Sequence, residues 1–290
     1  MRSQHSLEEI AELYGLLENI KKLREMTGVG FKDCKIALDE TNGDLEKSVE
    51  FLRKKGIAKA SKKMSRTASE GLALVNEKNG NISVVEIISE TDYVAKNKDF
   101  ISLCKEISEI CFIQKGDLEK VNSYTMKNDI TVKDNLIDLI AKIGEKITLR
   151  RAKFFDKNSG INFSYVHSAV EKNIGKIISI IKLSETSNAK EVGNKIAMHI
   201  AASNPLSIDQ KTLKKDLIDK EMEIIKAELL NTGKPVEIVE KISKGKLNKF
   251  ISENTLLNQE WIMDPKLKVS DVLKETKVLD FVRYKVGEGV

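Results

Sequence analysis

The stretch 71-GLALVNEKNGNISVVEIISETDYVAKNKDF-100 carries the fold in outline. Leu72 to Asn76 and Ile82 to Ser89 are rich in Val and Ile, the residues that suit a pleated surface, and read as two strands. Asn79-Gly80 between them is a two-residue hairpin turn, because both residue types accept the positive φ angles that such a turn demands. The period then changes. Phe100, Cys104, Ile107 and Cys111 recur at +4, +3 and +4, the spacing of one helix face. A hairpin running straight into a helix points to an α+β domain.

Further along, Leu136, Ile140 and Ile143 form another helical stripe, stopped by Gly144. Segments 147–155, 162–169 and 175–183 read as strands. Val192, Ile196, His199 and Ile200 share one side of the helix that follows. Ser89-Glu90-Thr91 and Ser184-Glu185-Thr186 each follow a Val/Ile strand and precede a helix. The echo fits either two similar α+β subdomains or chance. In the last third, Leu213, Leu217, Ile224 and Ile225 mark a long helix ending near Asn231. Gly233-Lys234-Pro235 turns the chain, and Ile238, Ile242 and Leu247 return antiparallel. A polar hairpin with so narrow an apolar stripe needs a second surface to cover it. Trp261 to Val290 supplies short extended pieces that can rejoin the core.

Upstream lies a small helical module. Leu16, Ile20 and Leu23 fall on one helix face, which Thr27-Gly28-Val29-Gly30 ends. A second helix from Phe31 turns Cys34, Ala37 and Leu38 inward. After Asn42-Gly43, Asp44 can cap a third helix that buries Leu45, Val49 and Leu52 and is expected to end at Gly56. From Arg53 to Arg66 the chain has seven basic residues and no acid. A solvated linker is the favoured reading, since no aromatic residues interleave. The alternative is an RNA or ribosome contact.

Composition narrows the function. At 290 residues the chain holds about two or three domains. Its net charge of +5 is too small to mark a nucleic-acid binder, and an aromatic share of 5% leaves little for base stacking. No apolar run reaches the ~20 residues that a bilayer span needs. Residues 1–20 are acidic rather than basic-then-apolar, so cytoplasmic residence is expected. Cys34, Cys104 and Cys111 sit in apolar stripes without metal-ligand spacing and read as small core residues, so neither a metal nor a cofactor is expected. No phosphate-binding Gly-x-x-x-x-Gly-Lys-Ser/Thr loop occurs, and Gly287-Glu288-Gly289 lacks the context of a dinucleotide site. The carboxylates are scattered. These observations describe an interaction protein rather than an enzyme.

An ordered set of motifs then resembles the bacterial elongation factor Ts family. It comprises Leu23-Arg24-Glu25-Met26-Thr27-Gly28-Val29-Gly30, Asp33-Cys34-Lys35, Asn42-Gly43-Asp44 and Thr91-Asp92-Tyr93-Val94-Ala95-Lys96. It continues through Ala141-Lys142-Ile143-Gly144-Glu145, Lys195 to Ser203, Met263-Asp264-Pro265 and Phe281-Val282-Arg283-Tyr284. The match runs from about residue 16 to 290. The chain departs from the family at Tyr93, where Phe is usual, and at Lys32, often apolar there. The segment from Phe112 to Asp134 is longer than in the commonest forms.

The resemblance implies a layout. Residues 1–15 are an unmatched extension and 16–56 a ubiquitin-associated-like three-helix domain. A basic linker (57–70) leads to a core of two related α+β subdomains, 71–146 and 147–208. An inserted antiparallel helical hairpin (209–252) and a C-terminal segment (253–290) complete the chain. The implied function is guanine-nucleotide exchange on elongation factor Tu, the expected partner. Thr91, Asp92, Tyr93 and Val94 would dislodge the partner's magnesium and GDP. Arg24, Phe31 and His199 match further contact positions, although His199 equally suits a satisfied helix-face histidine. The hairpin would serve a homodimer or a second partner contact. Neither a membrane nor direct nucleic-acid contact is expected.

Overall fold

The computed structural model describes residues 7–230 and 235–290. It is an α+β fold. At the N-terminus, helices α1 (Leu7–Thr27), α2 (Phe31–Glu40) and α3 (Leu45–Lys63) enclose a small core of Ile20, Leu23, Cys34, Ala37, Leu38 and Leu52. Asp44 caps α3 by accepting the Lys47 N–H.

The third helix does not stop at Gly56. It runs on to Lys63, and Gly56 is buried where the helix crosses the core, with a Cβ there falling 3.1 Å from the Ala141 methyl group. Here the glycine permits close packing rather than chain reversal. The basic run is therefore largely helical, and most of its charge is matched within the chain. Arg53 pairs with Asp134, Lys54 with Glu50, Lys55 and Lys59 with Asp33, and Arg66 with Glu90. Of the basic linker expected over 57–70, residues 57–63 instead continue α3, and 64–69 connect it to the first strand.

Strands β1 (Glu70–Lys78) and β2 (Asn81–Ser89) form the expected hairpin. Asn79 and Gly80 sit at φ 53° and 79°, the two positive values of a two-residue turn. Two more strands, β3 (Ile147–Phe155) and β5 (Ile174–Gly175), complete an antiparallel sheet of order β3-β2-β1-β5. After β2 come the short helix α4 (Asp92–Ala95) and then α5 (Lys98–Ile113), α6 (Leu118–Ser123) and α7 (Val132–Ile143). Leu72, Leu74, Val85 and Ile87 pack against Phe100, Cys104, Ile107 and Ile140 on that side. The opposite face of the hairpin, Ala73, Val75, Ile82 and Val84, packs on Ile178 and Ile180 of a second sheet. Burial on both faces explains why these strands read as nearly continuous apolar runs.

The second sheet has order β4-β6-β9, from Ile161–His167, Ile177–Leu183 and Val278–Lys285. Helix α8 (Ser187–Ser203) covers its far side through Ile181, Leu183, Val192, Ile196 and Ile200. At Gly193 the helix comes so close to β4 that a Cβ would enter the Phe163 ring. The layers thus run helices, sheet, sheet, helix.

The two core halves interleave along the chain. β3, expected in the second half, pairs with β2 in the first sheet. Ile147 and Leu149 join the cluster under α7, which fixes its place. Conversely, β9 from the C-terminal segment completes the second sheet.

Between them stand α9 (Lys215–Leu230) and α10 (Val236–Asn254), sharing a core of Ile225, Leu229 and Val239. The turn expected at Gly233-Lys234 lies outside the described residues. A 3-10 turn (Leu256–Asn258), the strands β7 (Glu260–Trp261) and β8 (Asp264–Lys268), and the helix α11 (Val269–Leu273) lead back to β9. Among the described residues no helix is long and apolar enough to cross a membrane.

Candidate functional site

At the end of β2 the chain turns a corner through Ser89, Glu90 and Thr91 before entering α4. Ser89 Oγ donates to the Thr91 carbonyl at 3.0 Å, which tightens the bend. Thr91 stands at the N-cap position of α4 with extended backbone, yet its hydroxyl caps nothing there. It donates instead to the Glu145 carboxylate at 2.9 and 3.0 Å, and the Thr91 N–H donates to the same group at 3.1 Å. Glu90 makes the reverse connection. Its carboxylate accepts the Lys146 N–H at 2.6 Å and the Arg66 guanidinium at 3.2 Å. Burial alone would raise the Glu90 pKa, but these donors together hold it below the usual carboxylate value.

The tip of the corner alternates between anchored and free. Val94 is 1% exposed and packs into the first core, whereas Tyr93 is 79% exposed. Asp92 is also exposed and accepts from Lys96 Nζ at 2.6 Å. That bond lowers the Asp92 pKa, so the group is a carboxylate at neutral pH. Asn97 then restarts the chain as α5, its side chain accepting from the N–H groups of Asp99 and Phe100. The result is a rigid base presenting an aromatic ring and a negative charge outward. This shape suits insertion into another surface better than enclosure of a small substrate.

A second exposed feature lies at the start of α2. Phe31 is 48% exposed rather than a core residue, with Met26 and Arg24 also open to solvent. The two features are connected through Lys142. Its ammonium lies 3.1 Å from where a Cβ at Gly28 would sit and 2.8 Å from the Asp99 carboxylate. The turn between α1 and α2 therefore stands beside the beginning of α5.

His199 is not part of this surface. It is fully buried in α8, stacked on Trp261 with ring centroids 5.3 Å apart. Its Nε2 lies 2.9 Å from Gln259 Oε1, and its Nδ1 accepts the Ile262 N–H at 3.4 Å. That pattern selects the neutral tautomer protonated on Nε2. Burial lowers its pKa, with the Gln259 bond opposing. A partner-contacting side chain at His199 is corrected to an internal tie between α8 and the 259–262 segment.

Sequence reasoning missed the roles of Glu145 and Glu90. Both act across more than fifty residues of chain, where no periodicity reaches. Among the described residues no cluster of His, Cys, Asp and Glu is placed to hold a metal ion.

Comparison with known proteins agrees with the motif pattern. The family model described as elongation factor TS matches residues 90–288. Elongation factor Ts of Rickettsia prowazekii (strain Madrid E) is 42% identical over 286 residues, covering 93% of this chain and 91% of the relative. The proteins of the same name from Rickettsia rickettsii (strain Sheila Smith) and Rickettsia felis (strain ATCC VR-1525 / URRWXCal2) are each 40% identical over 285 residues, with the same coverage.

Proposed function

This chain belongs to the elongation factor Ts family, and from that premise we propose that it is a guanine-nucleotide exchange factor for elongation factor Tu. The observation that carries the reading is the corner at Ser89–Val94, where exposed Tyr93 and ionised Asp92 stand on a base fastened from both sides. Exchange makes and breaks no covalent bond. A factor that binds the nucleotide-free partner more tightly than the GDP-bound partner must, by linkage, weaken GDP to the same extent. The Tyr93 ring entering the partner near its magnesium and phosphate region, with Asp92 competing for polar groups there, supplies that differential binding. Phe31 and Arg24 extend the contact. GTP binding then releases the factor.

The test is release of labelled GDP from elongation factor Tu. The wild-type chain should accelerate it. Asp92→Ala with Tyr93→Ala should abolish most of the acceleration while keeping the fold, because both side chains are exposed. Wild-type rates from the double variant would place the exchange surface elsewhere.

A second reading concerns α9 and α10. Leu217, Ile224 and Ile238 are exposed on the hairpin, which favours self-association or a further protein contact there. The hairpin begins and ends at one point, since Leu206 N donates to the Asn254 carbonyl. Removing 209–252 should leave the rest folded and lower the mass in solution. Equal oligomeric states for both forms would exclude self-association.

A further inference from the structure

We propose that Glu145, seconded by Glu90, is a positioning residue for exchange: its carboxylate sets the direction in which Tyr93 leaves the molecule. The inference rests on the exchange reading above and adds to it a residue that touches no partner.

Three observations combine. First, Tyr93 has nothing of its own to hold it. Its ring is exposed, and among the described residues its hydroxyl has no hydrogen-bond partner. Its direction is therefore the direction of the α4 backbone. Second, α4 is only four residues long, and one helical turn is not stable by itself in water. Thr91 withholds the side-chain cap that would stabilise its first turn. Third, both donors that Thr91 could have spent locally go to Glu145, and the Glu90 carboxylate takes the N–H of the very next residue, Lys146. The corner and the 144–146 loop thus exchange carboxylates reciprocally. Lys146 Nζ closes the set on the Arg66 carbonyl at 2.8 Å.

The 144–146 loop is a firm support for this purpose. It joins α7 to β3, with Gly144 in the left-handed region ending the helix and Ile147 buried at the start of the strand. β3 in turn pairs with β2 up to Ser89, so the clamp bridges the ends of two neighbouring strands. On the inner side, Val94 anchors the turn by burial. Held at Thr91 and Val94, the backbone at Asp92 and Tyr93 has little freedom left, and a wedge with a pre-set backbone loses less entropy on binding than a mobile one.

The experiment measures GDP release from elongation factor Tu over a range of factor concentrations, giving a limiting rate and a half-saturating concentration. Glu145→Ala should lower the limiting rate about tenfold, equivalent to ~1.4 kcal/mol of transition-state stabilisation. It should shift half-saturation much less, because the remaining contact surface is untouched. Glu145→Asp keeps the charge but is too short to take both Thr91 donors, so it should also lose rate and serves if the alanine variant folds poorly. Glu145→Gln, which keeps the length and an acceptor oxygen, should restore most of the rate. Combined with Tyr93→Ala, Glu145→Ala should have no additional effect, since there is then no ring to aim. Additive losses, or a wild-type limiting rate in both Glu145→Ala and Glu145→Asp while Tyr93→Ala alone is defective, would overturn the positioning role and leave the exchange reading standing. Wild-type exchange by Tyr93→Ala itself would instead remove the premise.

Discussion

Ser89-Glu90-Thr91 leaves β2 and Ser184-Glu185-Thr186 leaves β6, and each leads into helix. At the second corner α8 begins at once. Thr186 Oγ1 accepts the Ala189 N–H at 3.0 Å and shares a 2.7 Å hydrogen bond with Thr276. Asn188 donates to the carbonyls of Val272 and Leu273, and Ser184 exchanges two hydrogen bonds with Lys277. Every one of these fastenings is neutral, and the segment 272–277 lies over the corner as a lid. At the first corner the fastenings are carboxylates, Glu90 and Glu145, with Arg66 beside Glu90, and Asp92 and Tyr93 stay exposed. Four extra helical residues intervene before α5, the second of them an exposed tyrosine. Equivalent bends thus serve two purposes. One is closed by the chain's own C-terminal part. The other is open, and an open corner with an apolar ring is one that a second protein can close.

The charged side of this comparison should break most severely at Glu86. This residue lies in β2, three positions before the first corner, and is 0% exposed. It bonds Arg150 at 3.2 Å, contacts Arg151, and accepts the Gly287 N–H at 2.8 Å, so it holds the C-terminal residues against the first sheet. Glu86→Gln should cost about 3 kcal/mol in a urea titration. That is the low end for removing one member of a buried ion pair, because both guanidinium groups keep some water. A loss under about 1 kcal/mol would show that charge is incidental to fastening this half.

The neutral side should break at Asn188. Replacing it with alanine takes the side-chain donor from the Val272 carbonyl and one of two donors from the Leu273 carbonyl, which keeps the Thr276 N–H, at a cost of about 2 kcal/mol. Unlike Glu145→Ala, Asn188→Ala should leave the limiting exchange rate of the folded protein unchanged. A matching fall in rate would mean that the two corners are coupled.

Titration should separate the halves by pH window. The folded His199 pKa lies below its ordinary 6.5, so as pH falls through about 6.5 the unfolded chain takes a proton that the folded chain refuses, and stability drops. Glu90 is depressed below its ordinary 4.5. Its contribution is complete above about pH 4.5 and is lost as pH falls through the folded value. Urea midpoints across pH 8 to 3 should therefore show an upper decline that His199→Gln removes and a lower one that Glu90→Gln reduces. A decline at pH 6 that persists in His199→Gln would assign the upper window to another group.

Much of this arrangement was legible in the residues alone, for a definable reason. The β1–β2 hairpin, the α5 stripe and the extent of β3 depend on periodicity and turn chemistry within a few positions. Gly56 was misleading because glycine serves both to end helices and to let them touch, and only the neighbouring Ala141 decides which. The sheet to which β3 belongs was not legible, since pairing with β2 spans about sixty residues of chain. His199 shows the same limit. Its stripe with Val192, Ile196 and Ile200 correctly placed it on the buried face, but Gln259 and Trp261, which satisfy it, are sixty residues away. At the candidate site, Asp92 and Tyr93 were visible as a motif. Glu90 and Glu145 also fell in recognisable stretches, but nothing in the sequence joined either to the other side of the corner.

The smallest effect is expected from Tyr93→Phe, and it bears on what the open corner uses for contact. The hydroxyl is solvent-exposed and, among the described residues, unbonded, so its removal should change stability by less than about 0.5 kcal/mol. If the ring acts by filling apolar space in the partner, the variant loses no area and should exchange GDP within about twofold of the wild type, ~0.4 kcal/mol. Phe and Tyr differ only at the tip, which makes the comparison with Tyr93→Ala informative: alanine removes ring and hydroxyl together, phenylalanine the hydroxyl alone. A strong loss in both would assign the work to a hydrogen bond from the phenol, since a buried acceptor on the partner side left unpaired is costly. The open corner would then recognise its partner through polar groups, as the closed corner recognises its own lid, and the contrast between the two would reduce to which chain supplies the cover.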